Sequence, residues 1–233
     1  MTDRIDGLDW TALGADLLER GHARAEGVLS PGACAAFRGF WERDALFRRR
    51  IVMARHGYGE GAYAYFADPL PEGVQALREG LYRHLAPLAD EAMARLGRET
   101  RFPPGHASYL AQCRAAGQMK PTPLLLRYGK GGYNRLHRDL YGDLAFPFQA
   151  VFLLSEPGTD FTGGEFLLVE NRMRMQAMGE AVPLGQGDMV VFPVRDRPVA
   201  GRRGHVRAQM RHGVSRIRSG ERFTLGIIFH DAA

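Results

Sequence analysis

Beyond Pro121 the hydrophobic pattern takes the period of a β-strand, and this feature most restricts what the chain can fold into. Short runs that read as strands fall at 122–128, 148–154, 165–169, 188–192, 208–214 and 222–229, separated by glycine-rich turns. Parallel neighbours in a sheet need crossover connections of a dozen or more residues, usually helical. The sequence between these runs offers no such helices, so the pattern predicts an antiparallel sandwich or barrel.

Upstream the period is helical. Leu13, Leu17 and Leu18 share one helical face, and Ser30-Pro31-Gly32 supplies an N-cap with proline in the first turn. Val74, Leu77, Leu81, Leu85 and Leu88 recur at helical intervals between Glu72 and Leu96, where Pro87 is expected to kink or divide the helix. Residues 57–71, rich in glycine, proline and tyrosine, read as a loop. The expected organisation is an N-terminal helical extension over 1–100 packed on a β domain over 101–233.

Composition excludes several classes. With 233 residues, 45% hydrophobic and 24% charged, the chain is an ordinary globular one. No run approaches the ~18 apolar residues of a membrane span, and residues 1–10 lack the apolar core of a secretory signal, so a cytoplasmic protein with no membrane partner is expected. Cys34 and Cys113 lack metal-type spacing and are expected to be reduced structural thiols. Only Lys120 and Lys130 are lysines, and the formal charge of +5 is therefore an arginine charge. It concentrates at Arg195, Arg197, Arg202, Arg203, Arg207, Arg211, Arg216, Arg218 and Arg222, a field that would attract phosphates or other acids.

His137-Arg138-Asp139 places an imidazole and a carboxylate two residues apart, on the same side of an extended backbone. A distant His212 could complete a two-histidine, one-carboxylate set, which leaves open positions on Fe(II). The short motif alone is common. It gains weight from Arg222, which follows His212 across a turn at Ser219-Gly220 and whose fork can bind a carboxylate with two hydrogen bonds. In the last strand Phe223, Leu225, Ile227 and Phe229 form an apolar face, while Arg222, Thr224 and Gly226 lie on the other, suited to a cavity wall. His205 is a rival ligand but sits in a turn and has no arginine at matching distance. His22, His56, His84 and His106 have no carboxylate at ligand spacing and read as exposed or locally bonded residues; His230-Asp231 reads as surface. Met173, Met175 and Met178 read as shielded loop packing.

The order Leu125-Leu126-Arg127-Tyr128, Gly131-Gly132-Tyr133, His137-x-Asp139, Phe152-Leu153-Leu154, Thr162-Gly163-Gly164-Glu165, Gly187-Asp188-x-Val190-x-Phe192-Pro193 and His212-Gly213-Val214 to Gly220-x-Arg222-x-Thr224 resembles the 2-oxoglutarate/Fe(II) oxygenase superfamily over roughly 121–231. The resemblance implies a double-stranded β-helix (jelly-roll) core, mainly β with N-terminal helices. It implies Fe(II), 2-oxoglutarate and O2, with His137, Asp139 and His212 as metal ligands, Arg222 on the cosubstrate, Tyr128 and Thr224 beside it, and no catalytic residue beyond the ligands. The run from Tyr133 to Asp231, including Leu140-Tyr141-Gly142-Asp143, is similar to a bacterial family described as acting oxidatively on alkylation-damaged DNA, which implies demethylation and DNA repair. The ending from His212 to Phe229 resembles prolyl hydroxylases. Thr224, Gly226 and Ile228 depart from the AlkB-type ending R-x-N-x-T-x-R, where Asn, Thr and a second Arg would stand. The implied partner is nucleic acid gripped through the arginine-rich segment 195–218, or alternatively a peptide or small molecule. A non-enzymatic jelly-roll binding module would leave the coincidence of triad and Arg222 unexplained.

Overall fold

The structure, a computed structural model, describes residues 2–233. Five helices lie in the N-terminal half: α1 (Thr2–Asp6), α2 (Trp10–Glu19), α3 (Pro31–Gly39), α4 (Glu72–Arg95) and α5 (His106–Ala115). The strands are β1 (Ala23–Ala25), β2 (Phe47–Val52), β3 (Gly59–Glu60), β4 (Ala62–Phe66), β5 (Leu124–Tyr128), β6 (Tyr133–His137), β7 (Phe148–Leu153), β8 (Phe161–Gly163), β9 (Phe166–Asn171), β10 (Met178–Val182), β11 (Met189–Pro193), β12 (Asp196–Gly201), β13 (Gly204–Val214), β14 (Ile217–Gly220) and β15 (Arg222–Ile228). No helix among the described residues is long and apolar enough to cross a membrane.

The strands form two antiparallel sheets of a jelly roll. The larger has the order β1-β11-β7-β15-β5-β4-β2, and the smaller β10-β9-β13-β6-β3 with β12 also on β13; β14 and β8 close one end as a separate pair. Alternation along each strand decides which layer a side chain joins. On β15, Phe223, Leu225 and Ile227 enter the main core with Val74, Leu77, Leu81 and Leu85 of α4. Arg222, Thr224 and Gly226 point the other way and line a cavity between the sheets. The helices thus cover the outer face of the large sheet, and its inner face is free to build a site.

α4 runs unbroken through Pro87. Pro87 is exposed, so the carbonyl that its missing N–H would have satisfied can be solvated, while the opposite face stays clamped in the core. The stretch 1–100, expected as a helical extension, also contributes strands: β1 pairs with β11, β3 with β6, and β2 and β4 extend the large sheet beyond β5. The stretch 57–71 is accordingly not a plain loop. In β4 the alternation carries apolar or aromatic residues on both sides, with Ala64 and Phe66 in the core and Tyr63 and Tyr65 on the cavity, so no polar face marks it locally.

Three further side-chain expectations are corrected. His230 and Asp231 are buried, and Asp231 accepts a 2.7 Å hydrogen bond from Arg78 of α4, whose Nε donates to the Ile228 carbonyl at 2.8 Å. His106 is buried too, with Nε2 2.9 Å from the Phe229 carbonyl oxygen. Met173, Met175 and Met178 stand exposed on the β9–β10 hairpin, which reaches past the sheet and finds no layer to cover it.

Candidate active site

The site is built where β6 and β13 pair. Their register sets His137 opposite His212, which brings the two rings to a centroid separation of 4.2 Å. Asp139 lies just past the end of β6. Its Oδ1 is 3.5 Å from His137 Nε2 and its Oδ2 is 3.3 Å from His212 Nε2. One donor atom from each of the three residues falls within 4.8 Å of the others, a spacing compatible with a single ion. His137 Nδ1 lies 2.7 Å from the Arg135 carbonyl oxygen, which can only accept, so Nδ1 carries a proton and Nε2 is the nitrogen turned to the cluster. The His212 ring is walled by Phe192 and Phe166, and its Nδ1 faces the Gln149 amide at 3.4 Å.

The three groups are electrostatically coupled: burial would lower the His137 pKa, but the hydrogen bond to Asp139 and its charge raise it. Burial would raise the Asp139 pKa, but hydrogen bonds from His137 and His212 override it and hold the carboxyl well below the usual range. Burial, with the neighbouring His137, lowers the His212 pKa and favours its neutral form. Tyr141 donates a 2.6 Å hydrogen bond to Asp139 Oδ1; burial and that carboxylate together push the phenol well above its ordinary value, so it remains a donor.

Arg222 enters the same cavity from β15. It is 2% exposed, and among the described residues it makes no ion pair and its Nε has no hydrogen-bond partner. Burial pulls its pKa down to about 10. Tyr128 and Phe161 flank the guanidinium at 5.9 and 5.8 Å. A buried, uncompensated cation is costly unless an anion completes it. Thr224 of β15 and Tyr128 of β5 line the same space, with the Tyr128 hydroxyl 3.3 Å from Asn134 Nδ2. The cavity measures about 440 Å³ and is mostly apolar.

A second pocket of about 260 Å³ adjoins it. Arg48, Arg49, His56 and Lys120 line this pocket, and it shares Tyr58, Tyr63, Tyr65 and Tyr141 with the main cavity. The basic groups here were not singled out in the sequence, because Arg48 and Arg49 reach the site only through the pairing of β2 with β4.

The structure divides the arginine-rich segment. Arg197 is buried and paired with Glu170, and Arg195 bonds Asp196 at 3.2 Å, so both serve the fold. Arg202, Arg203 and Arg207, with His205, are exposed on the β12–β13 hairpin, and Arg216 and Arg218 are exposed further on. His205 pairs with Ala200 near the hairpin tip and is not in the histidine–aspartate cluster. Tyr63, Tyr65 and Gln149 are site residues that the linear pattern concealed. Tyr141 carried a signal in the run that follows the His137-x-Asp139 motif.

Residues 61–232 match the model of the family Oxygenase-NA, described as an oxygenase catalysing oxidative methylation of damaged DNA. An uncharacterized protein of Mycobacterium tuberculosis, found in two strains, is 49% identical over 195 residues, covering 82% of this chain and 84% of its own. Among solved structures, a Burkholderia pseudomallei oxidoreductase of the 2OG-Fe(II) oxygenase family superposes with a TM-score of 0.58 at 17% identity, covering 97% of this chain and 94% of that one. A Pseudomonas putida prolyl-4-hydroxylase gives a TM-score of 0.54 at 17% identity, with 96% and 99% covered. At these identities the likeness is one of fold, and that fold is the mainly β jelly roll that the family resemblance implies, within the antiparallel class predicted from the strand pattern.

Proposed function

The chain belongs to the Oxygenase-NA family of oxygenases, and on that premise we propose that it is an Fe(II)- and 2-oxoglutarate-dependent dioxygenase acting on alkylated nucleic acid. The observation that carries the reading is one cavity holding a two-histidine, one-carboxylate cluster on one wall and, on the other, a buried arginine in no ion pair among the described residues. The donor set suits the metal: two imidazoles and a carboxylate are the ligands of a non-haem iron centre with open positions. The orphaned guanidinium suits the cosubstrate, because a planar fork in a low-dielectric site calls for a carboxylate.

In this reading His137, Asp139 and His212 hold the iron, Arg222 grips the distal carboxylate of 2-oxoglutarate, and Thr224 and Tyr128 border it. The bound iron and cosubstrate supply oxidation of a C–H bond, with one oxygen atom of O2 entering the substrate and the other entering succinate as CO2 leaves. The chain's own work is orientation and exclusion of water. The Arg135 carbonyl turns His137 Nε2 toward the cluster, and the apolar walls keep competing solvent from the reacting centre.

Support for an anionic substrate comes from the family description together with the basic pocket that adjoins the cavity across four tyrosines. Arg48, Arg49 and Lys120 would take phosphates while a base enters the tyrosine-walled space, which requires a single-stranded or flipped nucleotide. Hydroxylation of an N-methyl carbon gives a product that sheds formaldehyde, so the reaction removes the methyl group. A second reading, hydroxylation of a prolyl or small-molecule substrate, draws on the His212–Phe229 ending and the fold shared with a prolyl-4-hydroxylase.

The test is succinate release with Fe(II), 2-oxoglutarate and ascorbate over methylated oligonucleotides and proline-containing peptides. We expect succinate and formaldehyde coupled to a methylated oligonucleotide, abolished by His212→Ala. Arg48→Ala with Arg49→Ala should weaken oligonucleotide binding and flatten its salt dependence by about one to two ions. Turnover coupled only to a peptide would favour the second reading, and no coupled turnover with any substrate would sink both.

A further inference from the structure

The two oxygens of Asp139 have different surroundings. Oδ2 has only the His212 contact at 3.3 Å, whereas Oδ1 accepts the 2.6 Å hydrogen bond from the Tyr141 hydroxyl and lies 3.5 Å from His137 Nε2. The Tyr141 oxygen in turn accepts a 3.0 Å hydrogen bond from the Tyr65 hydroxyl. Tyr65 comes from β4, and its ring is held from behind by the Arg48 guanidinium at 4.6 Å, itself anchored by a 2.9 Å bond to the Pro121 carbonyl. The protons therefore run in one direction, from Tyr65 to Tyr141 to the carboxylate.

Asp139 also lacks the backbone support of its partners. His137 and His212 sit in paired strands, but β6 ends at His137 and residues 138–147 form no helix or strand. Arg138 ties this segment to β13 through the Met210 carbonyl and Gln209, which holds the backbone but leaves the Asp139 side-chain torsion free. Some side chain must set that torsion.

We propose that Tyr141, held in place by Tyr65, is a positioning residue that makes Asp139 a one-oxygen metal ligand; the inference rests on the iron reading above. A carboxylate can bind a divalent cation through one oxygen or through both. Two-oxygen binding would fill a coordination position that a bidentate 2-oxo acid and O2 together need. A short, charge-assisted phenol bond fixes the carboxylate plane and satisfies one oxygen, leaving the other for the metal. Such outer partners usually carry a factor of about 10–100 in metal affinity.

The test uses the full-length protein stripped of metal and titrated with Co(II), followed by calorimetry and by the visible absorption of the bound ion, which reports coordination number. Tyr141→Phe should bind Co(II) about 10–100-fold more weakly, with an altered absorption spectrum and the melting temperature of the metal-free protein unchanged. Tyr65→Phe should shift affinity in the same direction by a smaller factor, and it tests the chain of bonds even if Tyr141→Phe fails to fold. Variants that bind Co(II) within about twofold of the parent and with its spectrum overturn the proposal. A loss of affinity matched by an equal loss of metal-free stability overturns it as well, since that is a packing role. A parent protein that binds no Co(II) would instead defeat the iron reading on which this one rests.

Discussion

Arg222 is the residue whose isolation says most. A guanidinium taken out of water with no carboxylate in ion-pair contact burdens the folded state; burial draws its pKa down to about 10, and the charge of Glu165 offsets this only in part. Arg222→Met should therefore leave the ligand-free protein as stable as the parent or more so, while 2-oxoglutarate binding weakens on the order of 100-fold, the equivalent of about 3 kcal/mol for a charge-assisted pair. Melting curves with and without 2-oxoglutarate check both halves: the parent should gain stability from the ligand and the variant should not. An arginine at this position is visible in sequence, because strand alternation sets it on the face opposite Phe223 and Leu225. That Glu165 acts on it only as a charge beyond ion-pair contact is a fact of the folded molecule only.

At the scale of elements, the tight approach of β8, β14 and β15 depends on a turn. Gly163 and Gly164 both have left-handed backbones, with φ of 73° and 66°. A Cβ on Gly164 would meet Ile217 Cδ1 at 2.3 Å and Arg222 Cδ at 2.9 Å. Gly164→Ala is expected to cost about 1–3 kcal/mol, part backbone strain and part overpacking. It should also weaken 2-oxoglutarate binding by displacing the Arg222 stem. Urea unfolding and a 2-oxoglutarate titration of the same variant separate the two effects; lost stability with unchanged affinity would mean that Ile217 gives way and Arg222 does not. The six strands read from the sequence at 122–128, 148–154, 165–169, 188–192, 208–214 and 222–229 all exist, since each is a short apolar-rich run that its own residues mark. β1 to β4 were not legible as strands. β1 and β3 are only three and two residues long, β2 and β1 lie at sheet edges, and β1, β3 and β4 pair with strands far along the chain.

Across the whole molecule, the helices and the sheet are joined through a buried ion pair. Arg78 on α4 reaches the end of the chain, bonding Asp231 at 2.7 Å and the Ile228 carbonyl at 2.8 Å, so the layer covering the sheet is tied to the strand that carries Arg222. Removing one partner strands the other charge in the interior. Arg78→Met should destabilise by about 3–5 kcal/mol, and the double variant Arg78→Met/Asp231→Leu should recover part of the loss. Equilibrium urea unfolding checks this, and a single variant as stable as the parent would contradict it. The first hundred residues are thus built into the fold, supplying strands to both sheets and a tyrosine wall to the cavity.

By itself the sequence determined the antiparallel β class, the candidate grouping of His137, Asp139 and His212 and the facing of Arg222 into an interior space. Each of these follows from periodicity within one strand or from a motif a few residues long, and such information is local. The tertiary structure alone decided that Tyr65 from β4 and Tyr141 from the segment after β6 meet over Asp139, that Arg48 and Arg49 form a basic pocket beside the cavity, and that Arg197 serves the core. Those outcomes depend on register between strands many residues apart and on which polar groups find partners when water is removed, and no local pattern encodes either.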